Sequence, residues 1–150
     1  MTYKTVQTGV DGVIRKISGY DTTNVKVDDY RILATGILKG VILRRGPARR
    51  TPISMGSPVT YDNRWTVNAE LFVPFVDSTS GLADSVIVEA QKVIDEISKW
   101  PQLDGTAGVI DAVAEALTEP EEWLMGRNSR WWRQVVAITA QELIEVTLSE

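Results

Sequence analysis

The sequence predicts an α+β fold: a mainly antiparallel central sheet of about four strands, flanked by helices, with a long basic loop or hairpin arm. Three observations predict it. Apolar residues recur every three or four positions over residues 2–17 and over Val86 to Ile97, as in amphipathic helices. Apolar and polar residues alternate over Trp65 to Val76 and again from Val136 onward, as in half-buried strands. A basic, polar stretch begins at Arg44 and is typical of an exposed arm.

Length and composition favour one folded domain. The 150 residues can build one core, so residues 1–150 are expected to form a single domain. Hydrophobic residues at 43% and charged residues at 24% are close to globular averages. No stretch reaches the roughly 18 apolar residues that a membrane span requires, and the first residues lack the apolar run of a signal peptide. We therefore expect a protein made in a cytoplasm, with no membrane partner.

Two residue types are missing altogether. The chain has no cysteine and no histidine, which excludes disulfides, thiolate zinc sites, cysteine nucleophiles, the Ser-His-Asp arrangement and imidazole-ligated metals. Ser-Lys pairs, carboxylate pairs or an oxygen-ligated metal remain for chemistry. No phosphate-cradling motif is present. We expect a protein that is not an enzyme, with no catalytic, cofactor-binding or metal-binding residues.

The first elements are a helix and a short strand. Helical spacing of apolar residues predicts a helix over residues 2–17. Gly9 and Gly12 weaken it, because a glycine inside a helix costs about 1 kcal/mol against alanine. The segment from Val25 to Thr35 stays unassigned. Ile37 to Leu43 is apolar with β-branched residues, which favours a strand.

The stretch after this strand is interpreted as a long exposed loop or an extended hairpin arm that reaches Asn63. Four arginines lie at its start: Arg44, Arg45, Arg49 and Arg50. Trp65 to Val76 then predicts a strand with one buried side. Pro74 indicates an edge or the end of that strand, because proline cannot donate a ladder hydrogen bond.

The second half of the chain predicts a helix and a final strand. Ser78 or Ser80 is the expected helix N-cap, and the helix ends at Trp100-Pro101, since proline disfavours helical geometry in the residue before it. Val109 to Glu119 is compatible with a helix by propensity or with a strand by alternation, and both stay open. After a turn at Gly126 to Arg130, the last strand places one charged residue, Glu142, on its apolar side.

Charge distribution points to protein partners. The net charge is -4, the wrong sign for a surface devoted to nucleic acid. The arginines could contact phosphates, but no aromatic residue lies among them to stack on bases, which favours an acidic protein partner. Between Lys99 and Arg127 there are only acidic charges. A basic arm and an acidic patch at different places on one chain fit a head-to-tail contact between copies.

The acidic residues and the tryptophans supply further interface candidates. Glu119, Glu121 and Glu122 surround Pro120 and could hold a divalent cation, but nothing supplies a ligand-loop spacing, so a solvated turn is favoured. Adjacent tryptophans face opposite ways on a strand, which leaves one ring available to another chain unless both faces are buried. The candidate interface residues are Arg44, Arg45, Arg49, Arg50, Glu119, Glu121, Glu122, Trp131 and Trp132.

The order of elements resembles a known family over about residues 65–148. The elements that carry the resemblance are Arg64 to Leu71, the helix Val86 to Ile97, the Leu103 to Gly105 loop, the Glu119-Pro120 element and the final strand Gln134 to Val146. Together they resemble the tail terminator proteins of long-tailed bacteriophages. The resemblance implies a central antiparallel sheet flanked by helices, in which Val109 to Glu119 is a strand.

The resemblance also implies a function without catalysis. Such proteins form a hexameric ring that caps the last ring of tail tube protein, halts tube growth and offers a docking surface to the head connector. The expected location is the tail and neck of the virion, after assembly in the host cytoplasm. The segment Arg44 to Arg50 becomes a candidate for contacts with a neighbouring subunit or the adjoining ring, and for non-specific contact with DNA in the lumen.

Two alternatives stay open. Another neck or head-completion adaptor would bind the portal side instead of the tube end. A small metal-dependent enzyme would use oxygen ligands from Asp104, Glu119, Glu121 or Glu122, and a divalent metal would then raise its thermal stability.

Overall fold

A computed structural model describes residues 1–54, 56–75, 82–125 and 129–147. Over these residues the chain forms two α-helices, α1 (Tyr3–Ile14) and α2 (Leu82–Lys99). The strands described are β1 (Val25–Val27), β2 (Gly40–Pro52), β3 (Val59–Pro74), β4 (Asp111–Ala116), β5 (Glu121–Met125) and β6 (Ser129–Val146). A short 3₁₀ helix, Tyr30–Ala34, lies between β1 and β2.

All six strands belong to one sheet. Its order is β1-β2-β3-β6-β4, and β5 pairs with β6 beyond the end of β4. The pair β1 and β2 is parallel, and the other pairs are antiparallel. The expected combination of helices with a mainly antiparallel sheet is confirmed, but the sheet has more than four strands and is mixed. The extra strands β1 and β5 have three and five residues, too few to show a clear periodicity.

Helix α1 begins after Thr2, whose hydroxyl accepts a hydrogen bond from the Thr5 backbone N–H at 3.3 Å. It ends at Ile14 rather than at residue 17, because the chain then tightens into bonds from Lys16 N to Val13 O and onward. Helix α2 presents a buried stripe to the sheet and ends before Trp100-Pro101, as expected. The expected caps Ser78 and Ser80 lie outside the described residues.

The main core lies between the two helices and one face of the sheet. Its helix residues include Val6, Val10, Val93 and Ile97, and its sheet residues include Leu71 and Ile138. A smaller cluster lies on the opposite face, where the 3₁₀ helix covers one end of the sheet: Ile32, Leu33, Ile42, Phe72 and Trp131. The rest of that face carries mostly polar side chains. The two helices therefore cover one face only.

The basic stretch forms a hairpin arm rather than a loop. Strand β2 pairs with β3 as far as Pro52 and Tyr61, with a bulge between Arg45 and Ala48. At the bulge, a Cβ on Gly46 would lie 3.0 Å from the Thr66 backbone oxygen, so the close approach of the two strands requires glycine. The end of β6 pairs with the same part of β3, which makes the arm three-stranded.

Two open points of the sequence are resolved by the sheet. The segment with two interpretations forms β4, a strand against its helix propensity, because the alternating residues Ala112 and Ala114 face α2 and the core. Glu142 is buried at 7% exposure on the helix side of β6. Its carboxylate accepts a hydrogen bond from the Asn63 side-chain amide at 3.2 Å and lies 3.5 Å from the Met1 nitrogen. A polar partner therefore offsets the cost of burying it.

Candidate assembly interface

The four arginines of the arm all lie on β2 and are exposed. Because successive strand residues face opposite ways, they divide between the two faces of the sheet. Arg45 and Arg50 lie on the face that carries the helices. They are five residues apart, and the extra residue of the bulge between them is what brings both to the same face. Arg44 and Arg49 lie on the open face. The cluster seen in the sequence therefore forms two separate basic surfaces.

Three of these arginines have partners within their own chain. The pairs are Arg44 with the Asp28 carboxylate at 2.9 Å, Arg45 with the Tyr3 ring at 4.4 Å, and Arg50 with the Asn63 side-chain oxygen at 2.9 Å. Arg49 has no hydrogen bond or ion pair with any residue that the structure describes. It is the arginine of the arm whose charge is left for an external partner.

The position of Arg49 in the sheet makes its unpaired charge unfavourable for the stability of the arm. Arg49 lies directly opposite Arg64 in the ladder between β2 and β3, and like charges in directly opposed positions destabilise a sheet. Arg64 has a counter-ion in Asp62, with 3.3 Å between Nε and Oδ2. The other oxygen of Asp62 accepts a hydrogen bond from Gln141 at 3.1 Å. Among the residues that the structure describes, no carboxylate pairs with Arg49.

The three glutamates around Pro120 do not converge on one point. Glu121 forms an ion pair with Arg133, and Glu122 forms one with Arg130 at 2.7 Å. As neighbours on β5, the two carboxylates face opposite ways. Glu119 is exposed and has no ion pair within the described ranges. Among the described residues, no group of three or more acidic side chains could hold a metal ion.

A charged network that the sequence did not suggest fixes β5 to the sheet. Arg133 lies between Glu121 and the buried Glu70, whose carboxylate it contacts at 2.5 Å. The Tyr30 hydroxyl donates to the same carboxylate. Burial, followed by this bond, raises the pKa of Tyr30. Burial would lower the pKa of Arg133, but the hydrogen bond and charge of Glu70 raise it. The charges of Glu70, Glu121 and Arg133 pair with one another, and the buried Arg133 Nε has no partner among the described residues, so we assign the network a structural role.

The adjacent tryptophans lie on opposite faces, as expected. Trp131 is 5% exposed in the smaller core cluster, and its indole N–H donates to Ser129 Oγ at 2.6 Å. Trp132 is half-buried against the main core, with its ring 5.0 Å from that of Phe75. Trp132 is therefore the ring of the pair that keeps accessible surface.

Strand β4 is a second exposed edge. In the described part of the sheet it pairs with β6 alone. Asp111 and Glu115 are exposed on its open face and have no ion pair within that part. Apolar side chains on and beside this strand are uncovered: Ile110 at 46%, Val113 at 58% and Leu117 at 56% exposure. An uncovered apolar edge with unpaired carboxylates is typical of a contact surface.

Comparisons with known proteins identify a fold. No protein-family model and no curated protein matches the chain. Among solved structures, it is similar to the sheath/tube terminator of PVC, an extracellular contractile injection system, in the extended state determined by cryo-EM. The TM-score is 0.53 at 13% identity, and the match covers 99% of this chain and 58% of that one. The chain therefore spans less than two thirds of the neighbour's length.

The chain has a tail terminator-like fold. At this identity the likeness concerns the fold alone. No helix among the described residues is long and apolar enough to cross a membrane.

The sequence named only some of the charges at the two edges of this terminator-like fold. Arg44 and Arg49 were among its candidates, whereas Asp111 and Glu115 were seen only as part of a long acidic interval. Their common face could have been recognised from alternation if the strand β4 had been assigned. The network around Glu70 joins residues that are far apart in sequence, and no local signal indicates it.

Proposed function

We propose that this protein is a structural tail terminator, which assembles as a ring on the end of a tail tube and stops tube polymerisation. The observation that carries the proposal is the match of 99% of the chain to a sheath/tube terminator. Two exposed edges of opposite charge support it, because a head-to-tail ring needs two different and complementary surfaces on each subunit. The role requires no catalysis.

The finer parts of the proposal rest on the resemblance seen in the sequence. The ring is hexameric, belongs to the tail and neck of a bacteriophage particle, and presents its free side to the head connector. One side of the ring contacts the tail tube protein, and DNA passes through the lumen without specific recognition. The surface residues assigned to these contacts are the arginines of the arm, Glu119, Glu122 and Trp132.

The experiment measures assembly and tube growth together. The mass of the purified protein is determined by light scattering across protein concentration, alone and with tail tube protein from the same particle. Tube lengths are then measured by negative-stain electron microscopy with and without this protein. We expect a six-fold mass, or a monomer that is recruited to tube ends, and shorter tubes of more uniform length.

Two results would contradict the proposal. A monomer or two-fold dimer that leaves tube length unchanged would exclude a terminator. Binding to isolated portal or connector rings, combined with no binding to tubes, would assign the protein to the portal side as a neck adaptor. Thermal unfolding with and without Mg²⁺ serves as a control for metal chemistry, and an unchanged midpoint is expected, because a ligand that binds the native state raises its stability.

A further inference from the structure

Charged side chains lie at the two free edges of the sheet, and three of them, Arg49, Asp111 and Glu115, have no ion pair among the described residues. Among the described residues, β2 beyond Leu43 pairs with β3 alone, and β4 pairs with β6 alone. The first edge carries Arg44 and Arg49 on the open face, and the second carries Asp111 and Glu115 on the same face. Neither edge is covered by an α-helix on the open face in this part of the chain; on the β2 edge, Arg44 contacts Tyr30 of the 3₁₀ helix, and the Tyr3 hydroxyl of α1 donates to the Gly46 carbonyl oxygen.

Register places these charges in the same two rows across the sheet. The first row consists of Arg49, Arg64, Gln141 and Asp111. The second row consists of Arg44, Asn68, Ala137 and Glu115. The rows are four residues apart on β3, β6 and β4, which corresponds to about 13 Å. Each row therefore begins with a cation at one edge and ends with a carboxylate at the other.

We propose that β4 of one copy lies beside the arm segment of β2 in the next copy, so that Asp111 pairs with Arg49 and Glu115 with Arg44 across the subunit boundary. This inference rests on the proposed ring and specifies its contact. Strands β2 and β4 run in opposite directions within the sheet. A rotation about an axis along the strands therefore continues the antiparallel order and keeps both rows and the open face in line.

Charge also selects this contact over a two-fold dimer. Two β2 edges placed together would oppose arginine with arginine, and two β4 edges would oppose carboxylate with carboxylate. Like charges in opposed positions are unfavourable, so the edges favour the heterologous pairing. The Arg44–Asp28 pair is exposed on both sides, and such a pair exchanges its partner at little cost, while Arg44 Nη1 keeps its hydrogen bond to the Tyr30 hydroxyl at 2.5 Å. Arg49, which has no ion pair or hydrogen bond with any described residue, is the stronger anchor.

The bulge defines how the strands meet. Pro47 has no backbone N–H, so it interrupts a continuous ladder along β2. The contact consists of side-chain pairs in the two rows on either side of the bulge. Val113 lies between the rows on β4 and is covered by the neighbouring arm. The burial of this exposed side chain adds an apolar contribution to the ionic one.

Charge reversal and charge exchange test the pairing. Arg49→Asp or Asp111→Arg alone should weaken association at least about tenfold, because either change opposes two like charges. The double variant Arg49→Asp/Asp111→Arg should recover the wild-type mass. An equimolar mixture of the two single variants should also recover it, because alternating copies restore every pair in a ring of even number. Lys4→Glu and Asp95→Arg, which change exposed charges on the helices, should leave the mass unchanged.

Cross-linking provides a direct measurement in a chain that contains no cysteine. Directly opposed residues on paired strands have Cβ atoms about 4.5–5.5 Å apart, close to disulfide reach. Arg49→Cys/Asp111→Cys should give a covalent ladder under oxidation, ending at the ring size. The pair Arg49→Cys/Asp95→Cys should remain monomeric.

The outcomes distinguish a failure of the proposed edge contact from a failure of the proposed terminator function. Wild-type rings that form normally, with no ladder and no effect of either reversal, would overturn the edge contact and leave the terminator proposal standing. A wild-type protein that forms no ring, even on tube ends, would overturn both. The pairing would also be overturned if the single variants lost mass with unchanged unfolding midpoints, and neither the double variant nor the equimolar mixture recovered that mass.

Discussion

Two glycines lie inside α1, where helix propensity disfavours glycine, and packing requires only one of them. A Cβ on Gly9 would lie 2.4 Å from Thr106 Oγ1 and 3.2 Å from Leu103 Cβ, so the helix can pack on the 103–106 loop only without a side chain there. A Cβ on Gly12 would meet nothing within 4 Å. Close packing therefore explains the first glycine, and nothing in the structure explains the second.

Alanine substitutions at the two positions should have opposite effects. Gly12→Ala should raise the free energy of unfolding by about 0.5–1 kcal/mol through helix propensity. Gly9→Ala should lower it by about 1–3 kcal/mol, because the loop must move to relieve the clash. Urea unfolding followed by circular dichroism measures both. Equal stabilisation by the two variants would show that α1 does not pack tightly on the loop.

Another residue-level feature is the buried pair of Tyr20 and Glu89. The Tyr20 hydroxyl donates to Glu89 Oε2 at 2.5 Å, and the same carboxylate group lies 3.0 Å from Lys92 Nζ and 3.4 Å from Lys39 Nζ. Burial raises the pKa of Tyr20 well above its ordinary value of 10.0, and Glu89 raises it further. Burial works to raise the pKa of Glu89, but Tyr20 and the two lysines outweigh it and lower that pKa.

The raised pKa of Tyr20 predicts a loss of stability in alkali. The contribution is complete below about pH 10; above it, the unfolded chain releases the proton while the folded protein keeps it. The free energy of unfolding should then fall by about 1.4 kcal/mol per pH unit from this group. Tyr20→Phe should remove that part of the slope in urea unfolding between about pH 9 and pH 11. Parallel profiles for variant and wild type would contradict the prediction.

At the scale of elements, β6 holds the sheet together. It pairs with β3 from Trp131 to Val146 and with β4 and β5 in turn on its other side. Its middle lies in the core, where Ile138 is fully buried, and its end belongs to the arm, where Leu143 is 47% exposed. The two parts of one strand therefore have different energetic roles.

Truncation of one side chain in each part should separate these roles. Ile138→Ala should lower the free energy of unfolding by about 2–5 kcal/mol, because it leaves a cavity between α2 and the sheet. Leu143→Ala should change it by less than about 0.5 kcal/mol. Thermal and urea unfolding measure both. A comparable loss in the two variants would indicate that the arm contributes to the cooperative core.

Periodicity in the sequence was enough to predict the elements in which apolar residues mark one side over a long stretch. Both helices, β3 and β6 show this pattern, and the structure confirms these elements. Strand β4 has few residues and good helix formers, so its state depends on pairing with β6, which is distant in sequence. The arginines were recognisable as a group, but their division between two faces depends on the bulge between Arg45 and Ala48. The composition of each face of the site depends on the register between strands that are distant in sequence. Local sequence patterns do not contain this register.

At the scale of the whole molecule, the open face of the sheet is polarised from edge to edge. Basic side chains lie at the arm and unpaired carboxylates at β4, while the main core lies under the helices on the other face. In the assembly proposed above, folding and subunit contact therefore depend on different faces and different forces. Apolar burial dominates the first, and charge pairing at exposed edges dominates the second.

This separation predicts that salt dissociates the proposed ring without unfolding its subunits. Raising NaCl from about 0.1 M to about 1 M shortens the Debye length from about 10 Å to about 3 Å, which screens charges at exposed edges far more than it affects a buried core. The mass by light scattering should fall toward the monomer, while the thermal midpoint measured on a dilute monomer changes little. A ring whose mass is the same at both salt concentrations would instead be held by the apolar surface around Val113, and Val113→Ser should then dissociate it where charge reversal does not.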